Sequence, residues 1–350
     1  MAMDDFWCQL MHSNQLLYLL YGDKSVYRHE AKFSILSALR YRTDPSRFVI
    51  TVMTDQPEEF KGWPVKVIAL DQATLSSWVG DTNYHHRRKA CAIQAGVKLA
   101  KKTVFIDTDT VFLKDPSELF KRVNDDQFLM DEFEWSWEEG AQRREYKTLV
   151  GELAERNASP APSLKLYNSG ICGMTLGNAS MMDGVVNLID QWAHHGKRLM
   201  TIEQIAVSFM LDGKKVVEAN DCVNHYFSLK RFHHAMIKVF FENHGEGYRA
   251  ELIRLAASVP SVLPKPSTAR RLQMLWRLKG QNKVGRKVAK FYLLGRQSHS
   301  CVYLAACNPI WWEKAVEEMR AGAVEQPEIA GVNTLWLADP DFTKFAKAMT

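Results

Sequence analysis

Residues 104–112 read VFIDTDTVF: an apolar run followed by two carboxylates one residue apart, Asp107 and Asp109. Val104 to Ile106 predicts a buried strand, and carboxylates at the end of a core strand are costly without a partner. A hard divalent cation is the simplest partner. Side chains at i and i+2 of a strand point the same way, so extended backbone through Asp109 would bring both carboxylates to one ion. The competing reading of the same string is a strand-end turn with Asp-Thr-Asp as solvated turn formers.

Working outward, strand and helix patterns alternate. Gln15 to Gly22 (QLLYLLYG) predicts a strand and Val26 to Tyr41 a helix, with Phe33, Leu36 and Leu39 on its apolar side. Arg47 to Thr54 and Val65 to Leu70 are further strands, and Tyr84 to Lys101 is a helix feeding the Asp107 strand. Leu166 to Leu176 (LYNSGICGMTL) predicts another strand, whose Gly170 and Gly173 imply close approach by a ligand or a neighbouring element. Helices follow at Asn178 to His195 and Thr201 to Leu211, then a short strand at Lys215 to Ala219 and a loop at Asn220 to Phe227. The pattern implies an α/β fold, a mainly parallel sheet flanked by helices, with ligands gathered at the carboxyl ends of its strands.

The bulk numbers fit a soluble globular protein. Of 350 residues, 46% are hydrophobic, enough for a sizeable core. The opening MAMDDFWCQLM is acidic and the run Leu16 to Leu20 is too short for a signal-peptide core, so a cytoplasmic protein is expected. Six cysteines without metal-finger spacing fit reduced thiols.

The net charge of +5 hides an asymmetry. Between Leu252 and Trp312 eleven Lys and Arg occur with no Asp or Glu, and taking these from the total of 45 leaves 34 cations against 40 acids elsewhere. Pro260, Pro264 and Pro266 mark the approach to this segment, giving domains at 1–245 and 246–350, the second basic and largely helical. Between Thr268 and Leu294, apolar residues (Leu272, Leu275, Trp276, Val284, Val288, Phe291) recur at helical intervals among cations. A basic amphipathic helix of this kind suits an anionic membrane surface, making attachment to the inner face of the membrane through 268–295 an expectation. The alternative is a cationic helix packed on the rest of the chain. No nucleic-acid motif accompanies the charge, so no nucleic-acid partner is expected.

VFIDTDTVFLKDPSELF, then YNSGICGM, TIEQIAVSFML and VNHYFSLKRFH, in that order, resemble the GT-A fold nucleotide-diphospho-sugar glycosyltransferases, most of all the glycogenin and lipopolysaccharide galactosyltransferase group. The resemblance covers roughly Gln15 to His234. It implies a metal-dependent hexosyltransferase carrying the DxD motif, with Mn²⁺ or Mg²⁺ and a UDP-sugar donor. The acceptor would be a saccharide or glycolipid, such as a lipopolysaccharide core. Asp107 and Asp109 would be metal ligands and His225 the third, with His233 and His234 as alternatives. The family's tail reads His, Gly, then Lys-Pro-Trp; here Tyr226 and Phe227 follow His225, and Lys230 takes the diphosphate-facing role.

By the same resemblance, Arg88 or Lys89 would steady the diphosphate, Tyr21, Asp23 and Asp55 would surround base and ribose, and Asn168, Ser169 and Gly170 would face the donor sugar. Glu203 and Gln204 occupy the place of the family's Asp-Gln pair. Glu203 is the candidate general base or stabiliser of an oxocarbenium-like state. The string from Asp107 to Val111 also fits haloacid dehalogenase-like phosphatases, with Asp107 as nucleophile and Asp109 as general acid; Asp212 and Asp221 are the downstream acids that reading would need. A sugar-nucleotide-binding protein without turnover is the remaining alternative.

Overall fold

The computed structural model describes residues 12–278, 283–325 and 339–349. Its strands are β1 (His12–Leu20), β2 (Val49–Thr54), β3 (Lys66–Ala69), β4 (Ala100–Ile106), β5 (Thr110–Phe112), β6 (Gln127–Met130), β7 (Phe133–Ser136), β8 (Lys165–Tyr167), β9 (Ile171–Thr175), β10 (Lys215–Glu218) and β11 (Val223–His225). The longer helices are α1 (Ser25–Tyr41), α2 (Arg87–Gly96), α3 (Lys147–Glu155), α4 (Met181–Trp192), α5 (Ile202–Met210), α6 (Lys230–His244), α7 (Thr268–Arg277), α8 (Lys283–Gly295), α9 (Asn308–Glu325) and α10 (Pro340–Ala348).

A seven-stranded sheet in the order β10-β6-β9-β4-β1-β2-β3 forms the centre of the first unit. Every neighbouring pair is parallel except those made by β9, which runs against both β4 and β6. This is the mainly parallel α/β architecture the sequence implied. The central strands are apolar on both faces because helices cover both. Leu16, Leu17 and Tyr18 of β1 and Val104 and Ile106 of β4 have no exposed surface, each such side chain contributing about 1.5–3 kcal/mol by leaving water. α2, α4 and α5 cover one face, and α1 with β5 lies on the other.

Several expected elements are shorter or divided. The helix expected over 84–101 closes at Gly96, where Leu17 packs so near that a side chain would collide, and β4 has begun by Ala100. The strand expected over 166–176 is two strands in two sheets: β8 pairs with β7, while β9 joins the central sheet. The expected loop 220–227 contains β11, a short strand antiparallel to β5 with His225 opposite Thr110.

The chain divides into two compact units, one of Met1–Tyr226 with Glu246–Ala256, the other of Phe227–Gly245 with Ala257–Thr350. An ion-pair cluster explains the return of the chain to the first unit. Lys32, only 2% exposed on α1, reaches Glu246 at 2.9 Å and Glu59 at 3.1 Å, and Arg28 reaches Glu246 at 2.8 Å. These cations hold the Glu246 carboxyl well below its ordinary range, against burial, which acts the other way.

In the second unit, Val288 and Tyr292 of α8 are buried with Ala315 and Val316 of α9 and Phe342 of α10. The expected amphipathic stretch therefore behaves as two pieces: α8 packs inward, while α7 leaves Leu272, Leu275 and Trp276 exposed. Residues 279–282 between them lie outside the described residues. Among the described residues no helix is long and apolar enough to cross a membrane.

Candidate functional site

Parallel β4 and β6 end on the same edge of the sheet, and antiparallel β9 begins there, so Asp107, Asp131 and Gly170 meet at one place. Ile106 pairs with Ile171 and Met130 with Cys172. The amide of Asp107 donates to Gly170 O at 2.7 Å, and that of Ala219, just past β10, donates to Asp131 O at 3.0 Å. The site thus lies at strand carboxyl ends, where α/β sheets bind ligands.

The Asp-Thr-Asp segment is not extended, as strand alternation would need: β4 stops at Ile106, the chain bends at Thr108 and Asp109, and β5 starts at Thr110. Hydrogen bonds fix the bend. Thr108 Oγ1 donates to Glu30 at 3.1 Å, Thr110 Oγ1 to Asp107 O at 2.9 Å, and the amide of Tyr226 to Asp109 O at 3.1 Å. Asp107 is partly exposed and Asp109 is buried.

The β5–β11 ladder carries His225 across to this bend. One oxygen or nitrogen from each of Asp107, Asp109 and His225 lies within 4.8 Å of the others. Ligands held at about 2.0–2.2 Å from one ion sit up to roughly 4.4 Å apart, so the group closes on an ion with small adjustment. Two carboxylate oxygens and an imidazole are a donor set that fits a divalent cation.

His225 is aimed by a residue that the sequence reading did not single out. Its Nδ1 is 2.5 Å from Asp131 Oδ2, and its Nε2 faces Asp109 Oδ2 at 3.2 Å. A carboxylate on the far ring nitrogen fixes the orientation of a ligating histidine and raises its basicity. Burial would depress the imidazolium, but hydrogen bonds to Asp109 and Asp131 prevail and raise its pKa to about 10. Gly170 makes room: a β-carbon there would collide with the His225 ring and crowd Asp131.

Lys89 enters from α2. Its Nζ donates to Asp107 Oδ2 at 2.9 Å and to Ser169 Oγ at 3.2 Å, and lies 3.9 Å from Glu203 Oε2. Burial works against its charge, yet Asp107 and Glu203 raise its pKa above the ordinary lysine value. Glu203, in the first turn of α5, is buried, which pushes its carboxyl up while Lys89 pulls it down. Ser169 Oγ donates to Glu203 Oε2 at 2.9 Å, whereas the buried Oε1 accepts no hydrogen bond among the described residues. A buried carboxylate oxygen of this kind calls for a donor.

Asn168 and Gln204 converge on a second unanticipated acid, Glu134 of β7, with amide donors at 3.1 and 2.6 Å. Asn168 Oδ1 also accepts from the amide of Gly170. Both amides therefore shape the floor beside Glu203. Asp131 and Glu134 both fall in the acidic aromatic stretch Asp131 to Glu139, and that local density of carboxylates was the available signal.

The other expected residues divide. Arg88 donates to Leu75 O at 2.8 Å and stacks over the Tyr21 ring at 4.7 Å, so these two form one wall at the end of β1. Asp55 accepts from the amide of Gly22, whose φ of +84° suits glycine, and from Gln72. Asp23 is exposed. Lys230 opens α6 in the second unit, and His233 and His234 lie farther along that helix.

The chain matches no protein-family model and no curated protein. Among solved structures it is similar to mouse xyloside xylosyltransferase 1 in its apo form, at 13% identity over 59% of this chain and 84% of that one, with a TM-score of 0.40. It is similar to the galactosyltransferase LgtC in complex with donor and acceptor sugar analogues, at 11% identity over 72% and 98% of the two chains and a TM-score of 0.43. It is also similar to the WbbM bifunctional glycosyltransferase, at 14% identity over 59% of this chain and 38% of that one, with a TM-score of 0.38. All three likenesses are likenesses of fold.

Proposed function

We propose that this protein transfers a sugar from a nucleotide-diphosphate donor to a hydroxyl of a saccharide or glycolipid acceptor, using a divalent cation held by Asp107, Asp109 and His225. The observation that carries the reading is the convergence of these three residues at a strand-end edge, with Asp131 behind the histidine. The ordered motifs of the sequence support a UDP-sugar as donor and Mn²⁺ or Mg²⁺ as the ion.

When bound, the cation supplies Lewis-acid neutralisation of the leaving diphosphate. The chain's own residues do the rest. Lys89 keeps positive charge between Asp107 and Glu203, and Ser169 fixes one oxygen of Glu203, leaving the buried Oε1 to take a donor that a bound substrate would bring. A carboxylate raised by burial is suited to accept that hydroxyl's proton or to face developing positive charge at the reacting carbon. Glu134 holds Asn168 and Gln204 still, so the donor sugar would meet a preorganised floor.

The phosphatase alternative is weaker on geometry. Asp221, one of the downstream acids it requires, is bound by Arg122 at 2.6 Å and Lys114 at 2.7 Å, an ion pair that accounts for its charge.

A thermal-shift series of UDP-sugars with and without Mn²⁺ tests the proposal. Stabilisation that needs metal and nucleotide together and vanishes in Asp109→Ala is expected. Equal stabilisation in that variant, or phosphate release from an aryl phosphate without nucleotide binding, would overturn it.

A further inference from the structure

The second unit contains a cleft of about 900 Å³, at the upper end of the roughly 300–1,000 Å³ range of small-ligand sites. Leu263, Met274, Leu278, Leu294, Leu304 and Trp311 give it an apolar wall. Lys265, Arg270, Arg271 and Lys290 line it as well, and no Asp or Glu is among its lining residues. The surrounding sequence, Leu252 to Trp312, has no acid at all. His299, also in the lining, is held below its ordinary pKa by burial and by the charge of Arg270.

Two features separate this cleft from a core defect. Native cores keep few voids larger than a water molecule, and four long cationic side chains would not be gathered around a void left by poor packing. The apolar surface also continues out of the cleft along α7, where Leu275 is 64% exposed while lining the cleft, and Trp276 is 78% exposed. Exposed apolar surface of this kind marks a binding surface.

We propose that the cleft binds a single anionic amphiphile, a lipid with one hydrocarbon chain and a phosphate head. The chain would lie against Met274, Leu294 and Trp311, and the phosphate against Arg270 and Arg271, whose guanidinium groups match phosphate geometry. Charge complementarity selects this occupant: a neutral lipid gains nothing from the four cations at the cleft, and a bare phosphate leaves the apolar wall wet. The proposal is independent of the chemistry assigned to the Asp107 site.

The experiment is calorimetric titration of the full-length chain with monomeric oleoyl lysophosphatidate, kept below its micellar concentration. Oleoyl lysophosphatidylcholine and inorganic phosphate serve as comparison probes, and anionic vesicles are run in parallel. Saturable one-to-one binding of lysophosphatidate is expected. The Arg270→Ala/Arg271→Ala variant should bind it about ten-fold or more weakly, as loss of charge-assisted hydrogen bonds implies. Met274→Trp, which fills the cleft and leaves the arginines in place, should weaken it as well. Circular dichroism of each variant controls for folding. Binding to vesicles without binding of the monomer, equal binding of the choline lipid, or undiminished binding in the double arginine variant would each overturn the proposal.

Discussion

Among the described residues of the first unit, two groups bring histidine and carboxylate side chains within ligand distance of one another, and their surroundings are opposite. In the first, Asp107, Asp109 and His225 are joined by Asp131 at 2.5 Å from the imidazole, and Lys89 also pairs with Glu203 at 3.9 Å. In the second, Glu152 of α3 meets Nε2 of His194 at 2.9 Å and of His195 at 2.6 Å, in the turn after α4. Arg156 reaches the other Glu152 oxygen at 2.9 Å, and the His194 side chain is 53% exposed. The first group draws the carboxylates of Asp107, Asp109 and Asp131 together in a largely buried place, where positive charge is strongly attractive. The second holds one carboxylate already answered by an arginine and two imidazole donors. Proximity of donor atoms is shared; the gathering of several carboxylates in a largely buried place is not, and that is what separates the proposed cation site from a structural ion pair.

The sharpest break of the comparison is Asp109→Ala. If the proposed cation site is right, removing this buried carboxylate should lower Mn²⁺ affinity, and with it sugar transfer, by more than the roughly 100-fold that changes behind a ligand cost. Titration of Mn²⁺ followed by electron paramagnetic resonance reads this directly. An affinity like that of the unmodified chain would move the ion elsewhere.

Next in size is Asp131→Asn, which keeps the shape behind His225 and removes its charge. A loss of about 10–100-fold in Mn²⁺ affinity is expected. A drop in turnover at saturating Mn²⁺, with affinity unchanged, would instead place Asp131 against substrate. Gly170→Ala should follow. Its β-carbon has to displace the His225 ring, at a cost of about 1–3 kcal/mol in stability, in metal affinity, or shared between them. Thermal unfolding with and without Mn²⁺ apportions the effect.

The sequence made the proposed ligands legible and left the residues packed behind them hidden. VFIDTDTVF declares a buried strand and its carboxylates because apolar period and polarity change together there, and Lys89, Asn168, Ser169 and Glu203 lie beside conspicuous motifs. β11 escapes because so short a strand has no period to detect; its partner β5, 110 residues into the chain, makes it. Asp131 and Glu134 escape for a different reason. Within Asp131 to Glu139 nothing local says which carboxylate turns inward; the placement of β6 beside antiparallel β9 decides it for Asp131, and that of β7 beside β8 for Glu134. The return of 246–256 to the first unit likewise depends on Glu246 finding Arg28 and Lys32, more than 200 residues earlier.

The smallest expected effect sharpens the comparison from its other side. Replacing both His194 and His195 by Ala should leave Mn²⁺ affinity unchanged, because Glu152 keeps Arg156 and offers no unanswered charge. What the group contributes is stability. Burial tends to raise the Glu152 carboxyl, but hydrogen bonds from His195 and His194 and the charge of Arg156 hold it below its ordinary value. A carboxyl depressed in the folded state adds stability above its unfolded pKa of about 4.3, and that stability is lost as pH falls through the lower folded value. Glu152→Gln should therefore cost about 1 kcal/mol or less at pH 7, the scale of partly exposed ion pairs. The gap to the unmodified chain should narrow as pH falls below the unfolded value of about 4.3 and close only below the lower folded value, where the carboxyl is protonated in both states. Urea unfolding of both proteins at pH 7 and near pH 3.5 measures it, and a gap that widened toward acid would mean that the carboxylate is repelled in its fold and that the group is held together by something other than charge.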